Sequence, residues 1–261
     1  MRLHKKMQRS PSYLEALIAR MVPVGQDARP ELWAGLEMVA VDASTVCGPG
    51  ATGADARIHA VLRLADLSYE QVQVTDPHGG ETFKRFLWRE GQLVIGDRGY
   101  CNAPGVAHVL DCGAQVLVRY NLRSMPAYDQ RGDLVDVMLW LRALRVGKPA
   151  ELRVQVVSNA HGASRWVQGR LVAERLPDKE AEEARRRVRR EHGSAATAEM
   201  LETAGYVVLF TTAPRGVWEK LAIDNTAMRT RTRNARPQAS RPRCERSHSM
   251  FEFPCCGVAC C

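Results

Sequence analysis

Asp42 and Asp97 are the residues whose type and setting best suit chemistry. Each follows a short apolar run, Leu36–Val41 in one case and Leu93, Val94 and Ile95 with Gly96 in the other. Small or turn-forming residues come next: Ala43 and Ser44 after the first aspartate, Arg98, Gly99 and Tyr100 after the second. In an open α/β sheet such strand ends are where loops diverge and ligands collect. If the two strands are neighbours, the carboxylates converge, and a convergent pair is the minimum donor set for a hard divalent cation such as Mg²⁺. Two such ions can activate the attacking oxygen and stabilise the leaving oxygen of a phosphodiester displacement. Taken singly, each aspartate reads as well as a turn residue, because Asp readily bonds its own backbone at strand ends.

The elements around them read as a mixed α/β domain. Leu36–Val41 is a buried strand that stops at Asp42, since Gly48, Pro49, Gly50 and Gly53 follow closely. Further strands are predicted at Ile58–Leu64 and Gln71–Thr75. Phe83, Phe86 and Leu87 recur at helical spacing between Gly80 and Glu90. After the Leu93–Ile95 strand, a helix runs from Pro104, well placed at a first helical position, to Cys112, and a strand covers Gln115–Arg119. This order indicates mixed α/β architecture. Beyond Asn121 short alternating segments, Leu152–Val157 and Trp166–Leu176, predict antiparallel strands, and Val207–Phe210 predicts one more buried strand before Thr211 and Thr212. Asp178–His192 is a charged helix with five acids and six bases, including Glu182 with Arg186 and Glu183 with Arg187 at four-residue spacing. At the front, Leu14, Leu17, Ile18 and Met21 suggest a short amphipathic helix over Pro11–Met21.

Bulk composition excludes little but bounds the class. At 45% apolar and 25% charged residues, the 261-residue chain can bury a real core. No run of about eighteen apolar residues exists to span a membrane, and the basic Met1–Ser10 stretch lacks a following signal region, so a cytoplasmic location is expected. The net charge of +8 invites a nucleic-acid reading, but the stretch from Ala213 onward holds nine Lys/Arg against four Asp/Glu, which is most of the excess. That stretch also holds five of the eight cysteines. Cys256 and Cys260 have a gap compatible with zinc, yet no second pair completes a tetrahedral site.

The aspartates' context resembles a known family. Val41-Asp42-Ala43-Ser44-Thr45, then Gly48-Pro49-Gly50-Ala51-Thr52-Gly53 and Arg57-Ile58-His59, is similar to the first catalytic block of bacterial insertion-sequence transposases of the DDE class, IS-four type. Leu93-Val94-Ile95-Gly96-Asp97-Arg98-Gly99-Tyr100 resembles their second block. Thr75-Asp76 through Gly80-Glu81 and Leu209-Phe210-Thr211-Thr212 fall in the family's order, so the likeness covers roughly residues 36 to 219. The resemblance implies an RNase H-like mixed sheet with flanking helices, interrupted by a β-rich insertion. It implies catalytic, metal-binding roles for Asp42 and Asp97 with Mg²⁺ (or Mn²⁺), and DNA contacts for Arg98 and Tyr100. The implied partner is the terminal inverted-repeat DNA of the element, bound by a homodimer or by a mixed dimer with an intact transposase. No chemistry is assigned to Arg57 or His59, for which a packed core role serves as well.

The family's third block, Tyr, two residues, Arg, three residues, Glu, is not found after Phe210. No tyrosine occurs there, and Glu219, directly after Trp218, comes too early. The pattern loses its periodicity after about Lys220, as a frameshift or truncation would produce. The expected organisation is therefore an N-terminal helical remnant with connector (1–35), the first part of the core (36–120), the β-rich insertion with charged helix and return strand (121–212), and a disordered tail (213–261). Arg185, Arg186 and Arg189 on the charged helix are weaker candidates for phosphate contact; a solvated helix whose bases pair with its own acids is the plainer alternative. The expected product is a catalytically defective transposase. Its rivals are a non-catalytic DNA-binding remnant that interferes with the intact enzyme and, disfavoured for want of a His or Glu cluster, an unrelated two-aspartate hydrolase.

Overall fold

In strand Leu36–Val46 (β2), Val39 and Val41 are buried on one face of the sheet, while Leu36 and Met38 alternate onto the other. The same two-residue period recurs in Gln92–Gly96 (β5) and Gln115–Arg119 (β6), so all three strands are apolar on both faces and lie inside the sheet. The computed structural model describes residues 32–33, 35–47, 53–160 and 163–214, all within the compact unit Met1–Ala222. The helix expected at Pro11–Met21 and the tail from 215 onward lie outside the described residues.

Among the described residues, nine strands form one sheet. Besides β2, β5 and β6 they are Leu32–Trp33 (β1), Ala56–Arg63 (β3), Tyr69–Thr75 (β4), Ala150–Ala160 (β7), Ala163–Arg175 (β8) and Tyr206–Thr211 (β9). The spatial order is β4-β3-β2-β5-β6-β9-β8-β7, with β1 paired to β2. β2, β5 and β6 are parallel; every other pairing is antiparallel. The chain is thus mixed α/β. β7 and β8 form a hairpin whose register runs from Ala150↔Ala173 to Ala160↔Ala163, and β9 joins it directly to β6. Residues after Asn121 therefore extend the same sheet. Thr211 and Thr212 fasten that junction: Thr211 Oγ1 donates to the Val116 carbonyl at 2.8 Å, and Thr212 Oγ1 accepts from the Val116 N–H at 2.9 Å.

Helix Ala103–Asp111 (α1) starts where the Asn102 side chain accepts from Gly105 N at 2.9 Å, with Pro104 in the first turn. Its Val106, Ala107 and Val109 pack on the face of Val39, Val41, Val94, Val116 and Val118 in the main core. A smaller cluster of Leu93, Leu117, Val172 and Ala213 forms the opposite face, flanked by the partly buried Leu36, Met38, Ile95 and Leu209. Short helix Val137–Arg142 (α2), charged helix Asp178–His192 (α3) and helix Ala198–Thr203 (α4) complete the described elements. None is long and apolar enough to cross a membrane.

Two sequence expectations need correction. β2 does not stop at Asp42; it continues to Val46 because residues 42–46 pair with β3, from Asp42↔Ala60 to Val46↔Ala56. The stretch between Gly80 and Glu90 is no helix beyond one 3₁₀ turn at Phe83–Arg85. Phe83, Phe86 and Trp88 are buried there, but Leu87 is 78% exposed. The Gln71 side-chain amide bonds both the N–H and the carbonyl of Leu87, which holds that backbone extended.

Candidate functional site

The site is set by one register. Val41 of β2 lies opposite Gly96 of the parallel strand β5, so Asp42 and Asp97 follow matched positions on adjacent strands. The two strands are neighbours in the sheet. Both aspartates are exposed at this edge. They are held differently. Asp42 sits inside β2, which runs on with β3, whereas β5 ends and Asp97 caps a 3₁₀ turn, Arg98–Tyr100, its Oδ1 accepting from Gly99 N at 2.9 Å. Gly96 permits this turn: a Cβ there would stand 2.8 Å from the Phe83 ring and 3.0 Å from Tyr100 Cβ.

A third carboxylate lies against the Asp97 turn, one to which sequence reasoning assigned no role. Glu81 precedes the Phe83 turn and is ion-paired through Oε1 to Arg57 of β3. A Cβ at Gly99 would fall on Glu81 Oε2, with Asp97 Oδ1 3.2 Å from the same point. Partial burial, then the charge of Asp97 and more weakly Asp42, push the Glu81 carboxyl above its usual range, while Arg57 opposes them. The signal available in the sequence was the pairing of a glycine-flanked acid with Gly99 in the second aspartate's turn. Among the described residues no group of three or more His, Cys, Asp or Glu side chains is placed so that it could hold a metal ion.

Tyr100 is fully buried and stacks on Phe83, ring centroids 5.2 Å apart. Its hydroxyl has no hydrogen-bond partner among the described residues. This side chain, expected beside a DNA phosphate, thus has no accessible surface in this structure. Arg98 is exposed, with no ion-pair partner among the described residues. Partial burial and the neighbouring Arg119 hold its guanidinium below its ordinary pKa. His59 is buried, Nε2 3.1 Å from Thr75 Oγ1, and burial together with Arg85 and Arg57 lowers its pKa to about 4. On α3, Glu182 gathers Arg185, Arg186 and Arg189 at 3.8, 3.6 and 3.1 Å. These three arginines stand far along the chain from Asp97, and each is paired with that one acid of their own helix.

The chain is 28% identical over 217 residues to the transposase for insertion sequence element IS421 of Escherichia coli. It is equally similar to the InsL proteins of insertion sequence elements IS186A and IS186B of Escherichia coli strain K12, which also carry transposase names. This chain is similar to insertion-sequence transposases. Each alignment covers 81% of this chain and 58% of the relative, so the chain spans less than two thirds of their length. No protein-family model matches it. Two exposed carboxylates on neighbouring strands are oxygen donors of the kind that a hard divalent cation prefers.

Proposed function

We propose that this chain is a DDE-class insertion-sequence transposase polypeptide of IS-four type, built on an RNase H-like core, in which Asp42 and Asp97 hold Mg²⁺ or Mn²⁺. The reading rests on one observation above the others: the parallel register of Val41 with Gly96, which aligns the two carboxylates at one sheet edge. Similarity to transposases over 81% of the chain supports it. A divalent ion bound there would polarise a phosphoryl oxygen and acidify an attacking water or hydroxyl.

The protein's own part is placement. β2, anchored on both sides by β3 and β5, fixes Asp42 in the middle of a strand. Asp97 is fixed by the Gly99 N–H in a turn that opens the sheet edge to solvent. Arg98 carries a fork of donors suited to a backbone phosphate next to that edge. Arg185, Arg186 and Arg189 would reach DNA only by giving up Glu182.

Within these 261 residues the Tyr, Arg, Glu block does not follow the Thr211-Thr212 strap. We infer that strand cleavage by this polypeptide alone is severely impaired, because two aspartates leave a second ion short of ligands. A second reading is favoured by the exposed Arg98 beside an incomplete acid set: a DNA-binding remnant that occupies the element's ends, or a mixed dimer, in competition with the intact enzyme. The experiment is incubation with the terminal inverted repeats and Mn²⁺ over a salt series. Salt-dependent binding with cleavage at least a hundredfold below that of an intact relative is the expected result. Efficient cleavage contradicts the defect, and failure to bind at low salt contradicts both readings.

A further inference from the structure

Away from the aspartates, the end of β8, the start of α3 and the last turns of α2 and α4 enclose a cavity of about 270 Å³. Three arginines line it: Arg142 of α2, Arg175 of β8 and Arg185 of α3. β8 delivers Arg175 to the point where α3 begins, directly opposite Tyr206 of β9, so these two side chains share one face of the sheet. Gly205 forms part of the wall, where a Cβ would stand 3.2 Å from Arg185 Nη2. The guanidinium of Arg185 is thereby allowed close over the strand.

The three guanidiniums are engaged unequally. Arg142 is held by both oxygens of Glu202, Nε at 2.7 Å and Nη2 at 2.9 Å. Arg185 donates through Nε to the Leu201 carbonyl at 3.3 Å and stands 3.8 Å from Glu182. Arg175 is half-buried, and its guanidinium has neither an ion pair nor a hydrogen bond among the described residues. An arginine stays charged, and a guanidinium drawn partly out of water is normally paired with an anion. Asp178 stands in the same wall but makes no ion pair with any of the three among the described residues. Three arginines against two wall acids, Asp178 and Glu202, leave one positive charge over. α3 also begins here with no side chain capping its first N–H groups, so the positive end of its dipole adds to the field. The fork of a guanidinium matches the oxygens of a phosphate group better than a spherical anion.

We propose that this cavity is a phosphate-binding site, with Arg175 as its principal ligand and Arg142 and the Tyr206 hydroxyl as flanking donors. Arg185 contributes charge while keeping Glu182. The phosphate is either free or carried on a DNA strand, since the recognition chemistry is the same. The site stands independently of the cation site at Asp42 and Asp97. An Arg175 that is merely solvated is the alternative.

The test is calorimetric titration of the full chain with inorganic phosphate in chloride buffer, beside a salt series of binding to duplex DNA. The variants are Arg175→Gln, Asp178→Asn and Arg153→Gln, the last removing an exposed arginine outside the cavity. Wild type is expected to bind phosphate, and Arg175→Gln to weaken that binding about tenfold. Asp178→Asn, which removes a wall acid, is expected to tighten it about threefold, and Arg153→Gln to leave it unchanged. That result upholds the proposal with free phosphate as the ligand. If instead only DNA binding distinguishes the two arginine variants, Arg175→Gln lowering the slope of log affinity against log salt by about one, the proposal stands with DNA as the source. Equal effects of Arg175→Gln and Arg153→Gln on both ligands, including none, overturn it. Circular dichroism checks that each variant is folded. If Arg175→Gln does not fold, Asp178→Asn decides: tighter phosphate binding upholds the proposal and unchanged binding overturns it.

Discussion

At the scale of residues, the matched places of Asp42 and Asp97 on neighbouring strands were legible because each follows an apolar run, although only Asp97 stands at a strand end. Glu81 was not, because its closeness to Asp97 depends on a turn that brings together positions sixteen residues apart. The same contact sets up a stability cost. Asp97→Asn removes a charge beside Glu81 and is expected to stabilise the metal-free protein slightly, by roughly 0.5–1 kcal/mol, and so to raise its melting temperature, while abolishing the rise that Mn²⁺ gives wild type; differential scanning calorimetry with and without Mn²⁺ checks both. His59 gives a pH prediction of definite sign. Its folded-state pKa of about 4 lies below the ordinary 6.5, so the unfolded chain takes up the proton first. Stability is thus complete above about 6.5 and falls as pH drops toward 4. Urea denaturation at pH 7 and pH 5, with the His59 ring followed by nuclear magnetic resonance, should show a neutral ring and a lower midpoint at pH 5. A ring charged at pH 5.5 would contradict it.

At the scale of elements, most strands were read from period-two alternation, and α3 coincides with the charged run Asp178–His192. The failures share a cause: local patterns overridden by partners distant in sequence. Phe83 and Phe86 stand at helical spacing, yet the amide of Gln71 bonds the Leu87 backbone and Trp88 Nε1 donates to the Phe83 carbonyl at 2.9 Å, so the chain runs extended after one turn. β2 outlasts its apolar run because β3 pairs with residues 42–46. Six-residue helices α2 and α4 are too short for periodicity to reveal. The join of β8 to β9 rests on another glycine: at Gly169 a Cβ would run into the Phe210 ring and stand 3.1 Å from the Thr211 carbonyl. Gly169→Ala is expected to cost about 1–3 kcal/mol by overpacking, measured by urea denaturation; a cost near zero would mean that the ring moves aside freely.

At the scale of the whole molecule, the sheet has one well-covered face and one less so. α1 and the main core cover Val39, Val94 and Val116, whereas Leu36, Met38, Ile95 and Leu209 on the other face are only partly buried. Apolar surface of this kind favours association. The full chain is expected to bind a hydrophobic dye and to self-associate with rising concentration, and Met38→Gln to reduce both; light scattering and dye fluorescence provide the check. How β7–β9 meet the rest was beyond sequence reading, since alternation identifies strands but not their neighbours, and the β6–β9 contact links residues more than ninety apart. The central claim is that a divalent cation binds where β2 and β5 bring Asp42 and Asp97 together. Replacing Mg²⁺ by Fe²⁺ and generating hydroxyl radicals with ascorbate and peroxide cuts the polypeptide beside the bound ion, and mass spectrometry locates the cuts. The account predicts backbone cleavage flanking Asp42 and Asp97, with a further cut near Glu81, all suppressed by excess Mg²⁺ and lost in the Asp42→Asn/Asp97→Asn double variant. Cuts elsewhere in the chain, or cuts that neither Mg²⁺ nor the double substitution removes, would contradict it.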